Sequence, residues 1–178
     1  LAVTGRIAPR MFEFEAAPPI DREDALHFVF HDGQLVSELA RADSPAWSAQ
    51  QLEANSWSVR REQFIGRWRE QPCFAVEIEA TTLDPMRYHC GSLYQLLGRV
   101  EEPLFALAGR AAQLLAWERD HRYCGRCGGP MTLDGRERAM RCEGCGRSVY
   151  PRISPCVIVL VTHGEHLLLA RNARARRP

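Results

Sequence analysis

The run Ala25-Leu26-His27-Phe28-Val29-Phe30-His31 reads as a strand, Asp32-Gly33 as its turn and Gln34-Leu35-Val36 as the returning strand. It is the clearest hairpin in the first half, and it places His27 and His31 on an outward face. Upstream, Met11-Phe12-Glu13-Phe14-Glu15 alternates as an edge strand would, and Pro18-Pro19 ends it. Residues 41–58 are polar and broken by Ser44-Pro45 and Asn55-Ser56, which predicts loop with room for one helical turn. Val59 to Trp68 fits neither period cleanly, although Phe64 to Trp68 leads towards a strand. After Pro72, Cys73-Phe74-Ala75-Val76-Glu77-Ile78-Glu79 predicts a strand of mixed alternation. Residues 1–90 therefore describe a small, mostly β unit, and Gly91 to Leu97 fits either a short helix or a strand.

From Glu101-Glu102-Pro103 the period changes. Acidic charge and proline mark a helix start. Leu104, Leu107, Ala108, Ala111, Leu114, Leu115 and Trp117 then recur as one apolar stripe, which predicts a helix to about Asp120. Further on, Cys156 to Val161 is an unbroken β-branched run that predicts a buried strand. His163-Gly164-Glu165 is the turn after it, and His166 to Ala170 the next strand.

Composition narrows the class. The chain has 178 residues, is 46% hydrophobic and 25% charged, and carries a net charge of +1. These values describe a globular chain and give no global argument for nucleic acid or membrane attraction. Every basic residue other than histidine is arginine, which removes lysine nucleophiles and Schiff bases. No apolar run reaches the ~18 residues of a membrane helix. The start at Leu1 lacks a signal-peptide pattern, and both ends look like cuts rather than natural termini. The glutamates at 13, 15, 77 and 79 read as a solvated strand face, and Arg171 to Arg177 as a solvated basic loop or a phosphate-binding one.

The chemistry-bearing pattern is Cys124-Gly125-Arg126-Cys127-Gly128 and its echo Cys142-Glu143-Gly144-Cys145-Gly146, with fourteen residues between the pairs. Four thiolates at Cys124, Cys127, Cys142 and Cys145, spaced as two knuckles around an Asp134-Gly135 hairpin signal, predict a tetrahedral zinc site of the ribbon type. Iron in the same four-thiolate set is the chemical rival, and a pair of disulfides is the covalent one. Cysteines in metal spacing fit a reducing, cytoplasmic compartment. Cys73, Cys90 and Cys156 read as small buried apolar residues.

With these residues in place, the chain resembles a known family. Leu104-Phe105-Ala106-Leu107-Ala108-Gly109-Arg110, Tyr123-Cys124-Gly125-x-Cys127-Gly128, Cys142-x-x-Cys145 and Tyr150-Pro151-Arg152-Ile153-Ser154-Pro155-Cys156-Val157-Ile158 are similar, in order and spacing, to the NADH pyrophosphatase branch of the Nudix hydrolases. The match covers residues 91–175; residues 1–90 resemble that family's N-terminal domain only in size and β character. The resemblance implies an α+β chain: a mostly β N-terminal domain over 1–100, a connecting helix over 101–120, a zinc ribbon over 121–152 and the first strands of a Nudix α/β/α fold over 153–178.

It also implies cleavage of NAD(H) to nicotinamide mononucleotide and AMP, removal of NAD caps from RNA, and a homodimer without membrane attachment. Structural Zn²⁺ is implied at the four cysteines, and Mg²⁺ or Mn²⁺ in the complete enzyme. Two positions carry over as substrate-binding: Glu137, in the second arm of the ribbon hairpin, and Tyr150, after the second knuckle. Two departures stand out. The family's Nudix box, Gly-x5-Glu-x7-Arg-Glu-x2-Glu-Glu-x-Gly, does not occur in these residues, so the chain is expected to be inactive by itself, with no catalytic residue of its own. Tyr94 follows Gly91-Ser92-Leu93 where the family often has an arginine that meets substrate phosphate. A stand-alone zinc ribbon that binds protein or RNA is the alternative from another class, and an iron electron carrier is a third.

Overall fold

In the computed structural model, residues 12–13, 18–19, 21–41, 44–79, 83–152, 154, 157 and 159–170 are described. The elements run β1 (Phe12–Glu13), β2 (Leu26–His31), β3 (Gln34–Glu38), β4 (Ala46–Ser48), α1 (Ala49–Ala54), β5 (Ser58–Trp68), β6 (Gln71–Glu79), β7 (Tyr88–Gly91) and α2 (Glu102–Asp120). The ribbon strands β8 (Met131–Leu133), β9 (Met140–Cys142) and β10 (Ser148–Val149) follow, then β11 (Thr162–His163) and β12 (His166–Leu167). The chain is thus α+β, dominated by sheet.

Seven strands form one mixed sheet in the order β1-β5-β6-β2-β3-β7, with β4 pairing β2 beside β3. Only the β2–β6 pairing is parallel; the other pairings are antiparallel. β2 sits at the centre, which explains its unbroken Phe28-Val29-Phe30 run: both faces of a central strand are covered. Phe28 and Phe30 pack with Ile65, Cys73 and Ala75 on the face under α2. Val29 packs on the opposite face with Trp47, Phe64, Phe74 and Val76, and α1 contributes Leu52 there.

Several sequence expectations are corrected. His27 does not face solvent: it is 4% exposed, stacked on Phe74 at 5.5 Å, and its Nδ1 lies 3.3 Å from the Trp47 carbonyl. Burial pushes its imidazole below the ordinary histidine value. His31 is half-buried. Glu77 is not on a solvated face either; it is 6% exposed and pairs with Arg61 at 3.4 Å. Alternation misled there because β6 is an interior strand covered on both faces. Residues 41–58 hold β4 and α1 rather than loop. Ser48 caps α1 by accepting from the Gln51 N–H while Gln51 Oε1 accepts from the Ser48 N–H, a capping box with glutamine at its third position.

The ambiguous 59–68 stretch is the longest strand, and two register shifts in its pairing with β6, at Val59/Arg61 and Phe64/Gly66, broke its period. Pro72 fits within β6 because the ladder to β2 begins only at Cys73. Gly91 ends β7, and a 3₁₀ turn over Leu93–Leu96 follows.

The helix forms as its stripe predicts. Leu107, Ala108, Ala111, Leu114, Leu115 and Trp117 are buried, and the fully buried Ala108 and Ala111 let the helix lie close to the sheet. The apolar run after the ribbon behaves differently. Val157, Val159, Leu160 and Val161 are 50–83% exposed, so the expected buried strand is not seen there, and the pairing is the short β11–β12 hairpin around Gly164-Glu165. Nothing described packs over these residues to bury them. Cys73 is buried and Cys90 half-buried, as small apolar residues would be. Cys156 and Arg171 to Arg177 lie outside the described residues, as do the side chains of Glu13 and Glu15.

Candidate metal centre and the ribbon around it

The two knuckles have the same backbone. The Cys124 N–H donates to the Gly129 carbonyl and the Gly128 N–H to the Cys124 carbonyl, both at 2.8 Å. In the second knuckle the Cys142 N–H donates to Arg147 and the Gly146 N–H to Cys142, at 2.9 and 3.0 Å. Gly128 and Gly146 close the turns at φ +73° and +70°, in the left-handed region that favours glycine. The hairpin between them differs from the tight Asp134-Gly135 turn: β8 and β9 pair Leu133 with Met140, leaving a six-residue loop over 134–139. Asp134 organises that loop by accepting from the Arg136 N–H through Oδ1 and donating its own N–H to the Ala139 carbonyl.

All four sulfurs lie within 4.8 Å of one another, with Cys124–Cys145 at 3.6 Å and Cys127–Cys142 at 3.4 Å. A disulfide needs about 2.05 Å, so no pair is bonded. Four sulfurs placed 2.3 Å from a tetrahedral zinc sit about 3.8 Å apart, close to the spacing found. Backbone N–H groups prepare the thiolates. Those of Cys127 and Arg126 hold the Cys124 thiol down to about 6, and that of Cys145 depresses Cys142. The Gly129 N–H favours a Cys127 thiolate, but the crowding sulfurs of Cys142 and Cys145 outweigh it and push Cys127 up to about 12. Four thiolates so close ionise together only around a cation, and the donor set suits Zn²⁺. Bound there, zinc would cross-link the two knuckles and supply no chemistry to a substrate. Among the described residues these four cysteines are the only such cluster of potential ligands. The described carboxylates do not gather into a site for Mg²⁺ or Mn²⁺.

The ribbon is anchored. Cys124, Met131, Met140 and Cys142 are buried in one cluster with the α2 stripe and the Phe28–Phe30 face of the sheet. Arg138 reaches from the hairpin loop to the Phe64 carbonyl at 2.6 Å, and Arg110 from α2 to the Ile65 carbonyl at 3.1 Å, both at the bulge in β5. Burial, and then the neighbouring Arg138, lower Arg110 to about 10. No local pattern signals either contact, because the accepting carbonyls are freed only by the bulge.

The two carried-over positions meet. Tyr150 follows β10 directly, Glu137 lies in the hairpin loop, and the Tyr150 hydroxyl donates to Glu137 Oε1 at 3.0 Å. The Glu137 carboxylate raises the Tyr150 phenol above its ordinary value. Tyr150 is 53% exposed and Glu137 is also exposed, beside a shallow recess of about 530 Å³ lined by Thr132, Asp134, Arg136, Glu137 and Arg141. Tyr94, in the 3₁₀ turn after β7, is 79% exposed.

Comparison with known proteins agrees with this architecture. Residues 24–117 match the NADH pyrophosphatase-like rudimentary NUDIX domain, and residues 119–150 match the NADH pyrophosphatase zinc ribbon domain. The chain is similar to proteins named NAD-capped RNA hydrolase NudC. It is 44% identical to that of Stutzerimonas stutzeri over 113 residues, 64% of this chain and 41% of the relative. Against that of Pseudomonas putida it is 38% identical over 154 residues, 80% and 55% of the two chains. Against that of Yersinia pseudotuberculosis it is 35% identical over 158 residues, 87% and 55%. The chain spans about half the length of the curated relatives it matches. With a rudimentary NUDIX domain running directly into a four-cysteine ribbon, the chain belongs to the NADH pyrophosphatase family of Nudix proteins.

Proposed function

We propose that this chain is the N-terminal and zinc-ribbon portion of a Nudix hydrolase. That enzyme cleaves the pyrophosphate of NAD(H) to nicotinamide mononucleotide and AMP, and removes NAD caps from RNA 5′ ends. The division follows the sequence: the rudimentary domain over 1–100, the linking helix over 101–120, the ribbon over 121–152, and the start of the catalytic domain over 153–178. The carboxylates that hold Mg²⁺ or Mn²⁺ are not among these residues, so the chain alone is catalytically silent. In the complete enzyme, Tyr150 and Glu137 touch the dinucleotide. The observation that carries this reading is their 3.0 Å hydrogen bond at an exposed edge of the zinc-pinned hairpin, which presents a ring and a carboxylate to one ligand. The exposed apolar residues from Val157 to Leu169 are surface for the rest of that domain to cover. The enzyme works as a homodimer in the cytoplasm, where the ribbon thiolates stay reduced. No helix among the described residues is long and apolar enough to cross a membrane.

The test uses the complete enzyme and this chain side by side, with NADH, NAD-capped RNA and Mn²⁺. The complete enzyme should release AMP from NADH and nicotinamide mononucleotide from the capped RNA, and the chain alone should release neither. AMP formed by the chain alone would place an active site within these residues. A complete enzyme inert on both substrates would favour the second reading, a zinc-ribbon module that binds protein or RNA through the exposed face of β8, β9 and β10.

A further inference from the structure

Among the described residues one face of the ribbon sheet is unpartnered, and its chemistry differs from that of the sheet domain. Cross-strand partners share a face. Arg141 pairs with Thr132 on one side and Ser148 on the other, so these three side chains project together, and all are exposed. The isolated bridge between Tyr123 and Pro130 extends the face by one step towards the knuckles, since 130 and 132 are in phase. Tyr123 is 67% exposed there. At the other end stand Arg136, in the recess shared with Arg141, and the Tyr150–Glu137 pair. The opposite face buries Met131, Met140 and Cys142 in one cluster with the α2 stripe, so the outer face is fixed in shape by the core beneath it.

Charge separates this region from the sheet domain. Residues 119–152 hold eight arginines against four acidic residues, whereas residues 21–118 hold nine against fifteen. The arginines also differ in what they do. In the sheet domain Arg22, Arg60, Arg61 and Arg69 are in ion pairs with glutamates. In the ribbon, Arg122, Arg126, Arg136 and Arg147 are exposed and have no ion pair among the described residues. Arg141 makes one contact, at 3.8 Å, with an Asp134 carboxylate that the Arg136 N–H also engages. An open sheet face with an exposed aromatic ring, in a segment where arginines outnumber carboxylates, is an arrangement that holds single-stranded nucleic acid. The ring stacks a base and the guanidiniums follow the phosphates.

We propose that this face binds the single-stranded RNA body behind the cap. Arg136 and Arg141 take phosphates next to the Tyr150–Glu137 edge, and Tyr123 stacks a base further along. The proposal rests on the capped-RNA reading for the identity of the strand, and it adds a surface that free NAD(H) does not reach.

The probe is a twelve-nucleotide single-stranded RNA with a 5′-monophosphate and a 3′ fluorophore, titrated with the zinc-loaded chain by anisotropy from 50 to 200 mM KCl. Affinity should fall with salt by about 0.7 log units per log unit for each phosphate held. Arg141→Gln should weaken binding and shrink that slope by about 0.7. Tyr123→Ala should weaken binding roughly tenfold with the slope kept, and Tyr123→Phe should bind like the parent chain. Arg99→Gln, an exposed arginine of the sheet domain, should change nothing. Zinc content and circular dichroism of each variant exclude misfolding. Absence of RNA binding at 50 mM KCl overturns the proposal. So does equal loss in the Arg99 variant, or equal affinity for a duplex or a polyglutamate peptide. The probe has no cap, so its result stands apart from the capped-RNA reading, which fails only when the complete enzyme releases no nicotinamide mononucleotide from capped RNA.

Discussion

Replacing Arg61 with methionine tests the buried polar pocket beneath the end of α2. Arg61 and Glu77 face each other at 3.4 Å with side chains 11% and 9% exposed, so solvent screens the pair little. One layer away, Gln63 Nε2 donates to Glu118 Oε2 at 2.6 Å. Burial raises the Glu118 carboxyl most, the Gln63 hydrogen bond and then Arg61 lower it, and Glu77 raises it, so the four groups form one electrostatic unit. Arg61→Met fills a similar volume but leaves the buried Glu77 carboxylate without its cation. Removing one partner of a buried pair costs about 3–5 kcal/mol. With a urea m-value of about 2 kcal/mol per M, the unfolding midpoint should drop by roughly 1.5–2.5 M. Replacing both residues, Arg61→Met with Glu77→Leu, removes the stranded charge and should bring the midpoint back close to that of the parent chain. The assay is urea unfolding of the zinc-loaded chain, followed by tryptophan fluorescence, with equal m-values as the two-state check. A loss below about 1 kcal/mol in the single variant, the size of a surface ion pair, would refute the reasoning. So would a double variant as unstable as the single one.

Burial raises the Glu118 carboxyl above the ordinary range despite its bond from Gln63. The folded state therefore holds that proton longer than the unfolded state, and the parent chain should lose stability as pH rises from the ordinary glutamate value through the raised one. Glu118→Gln should remove that slope and be no less stable at pH 7, which midpoints from pH 4 to 8 would check. Cys142→Ser removes a zinc ligand that is also 1% exposed in the core. Hydrogen exchange should loosen residues 121–170 well before the sheet strands β2 and β6, and equal loosening of both would contradict the ribbon's dependence on metal. Tyr150→Phe breaks the bond to Glu137 at an exposed edge, so the melting temperature should hold while the complete enzyme's KM for NADH rises. An unchanged KM would remove Tyr150 from the substrate-binding edge.

Legibility followed how local each signal was. The β2–β3 hairpin, the α2 stripe and the four cysteines are each written within one short stretch of chain, and all form as the pattern predicts. The faces of β2 and β6 were not legible. Whether His27 or Glu77 meets solvent depends on which strands flank them and on what covers both faces of the sheet, and those partners are distant in sequence. The bulges in β5 hid its period for the same reason, and they created the carbonyls that Arg110 and Arg138 use. The capping box at Ser48 could have been found, since Ser-x-x-Gln is a known helix start, but the neighbouring polar residues masked it. At the ribbon, sequence resemblance pointed to Glu137 and Tyr150 separately. Their hydrogen bond, and the open face that continues from them, appear only once β8, β9 and β10 are in register.

Metal content with X-ray absorption at the metal edge is the most direct test of the four-cysteine centre on which the ribbon depends. Freshly purified chain should carry one zinc, with four sulfur neighbours at about 2.3 Å, and Cys124→Ser should lose it. Iron in that site, a mixed nitrogen or oxygen shell, or a disulfide between Cys127 and Cys142 in place of metal would contradict the account.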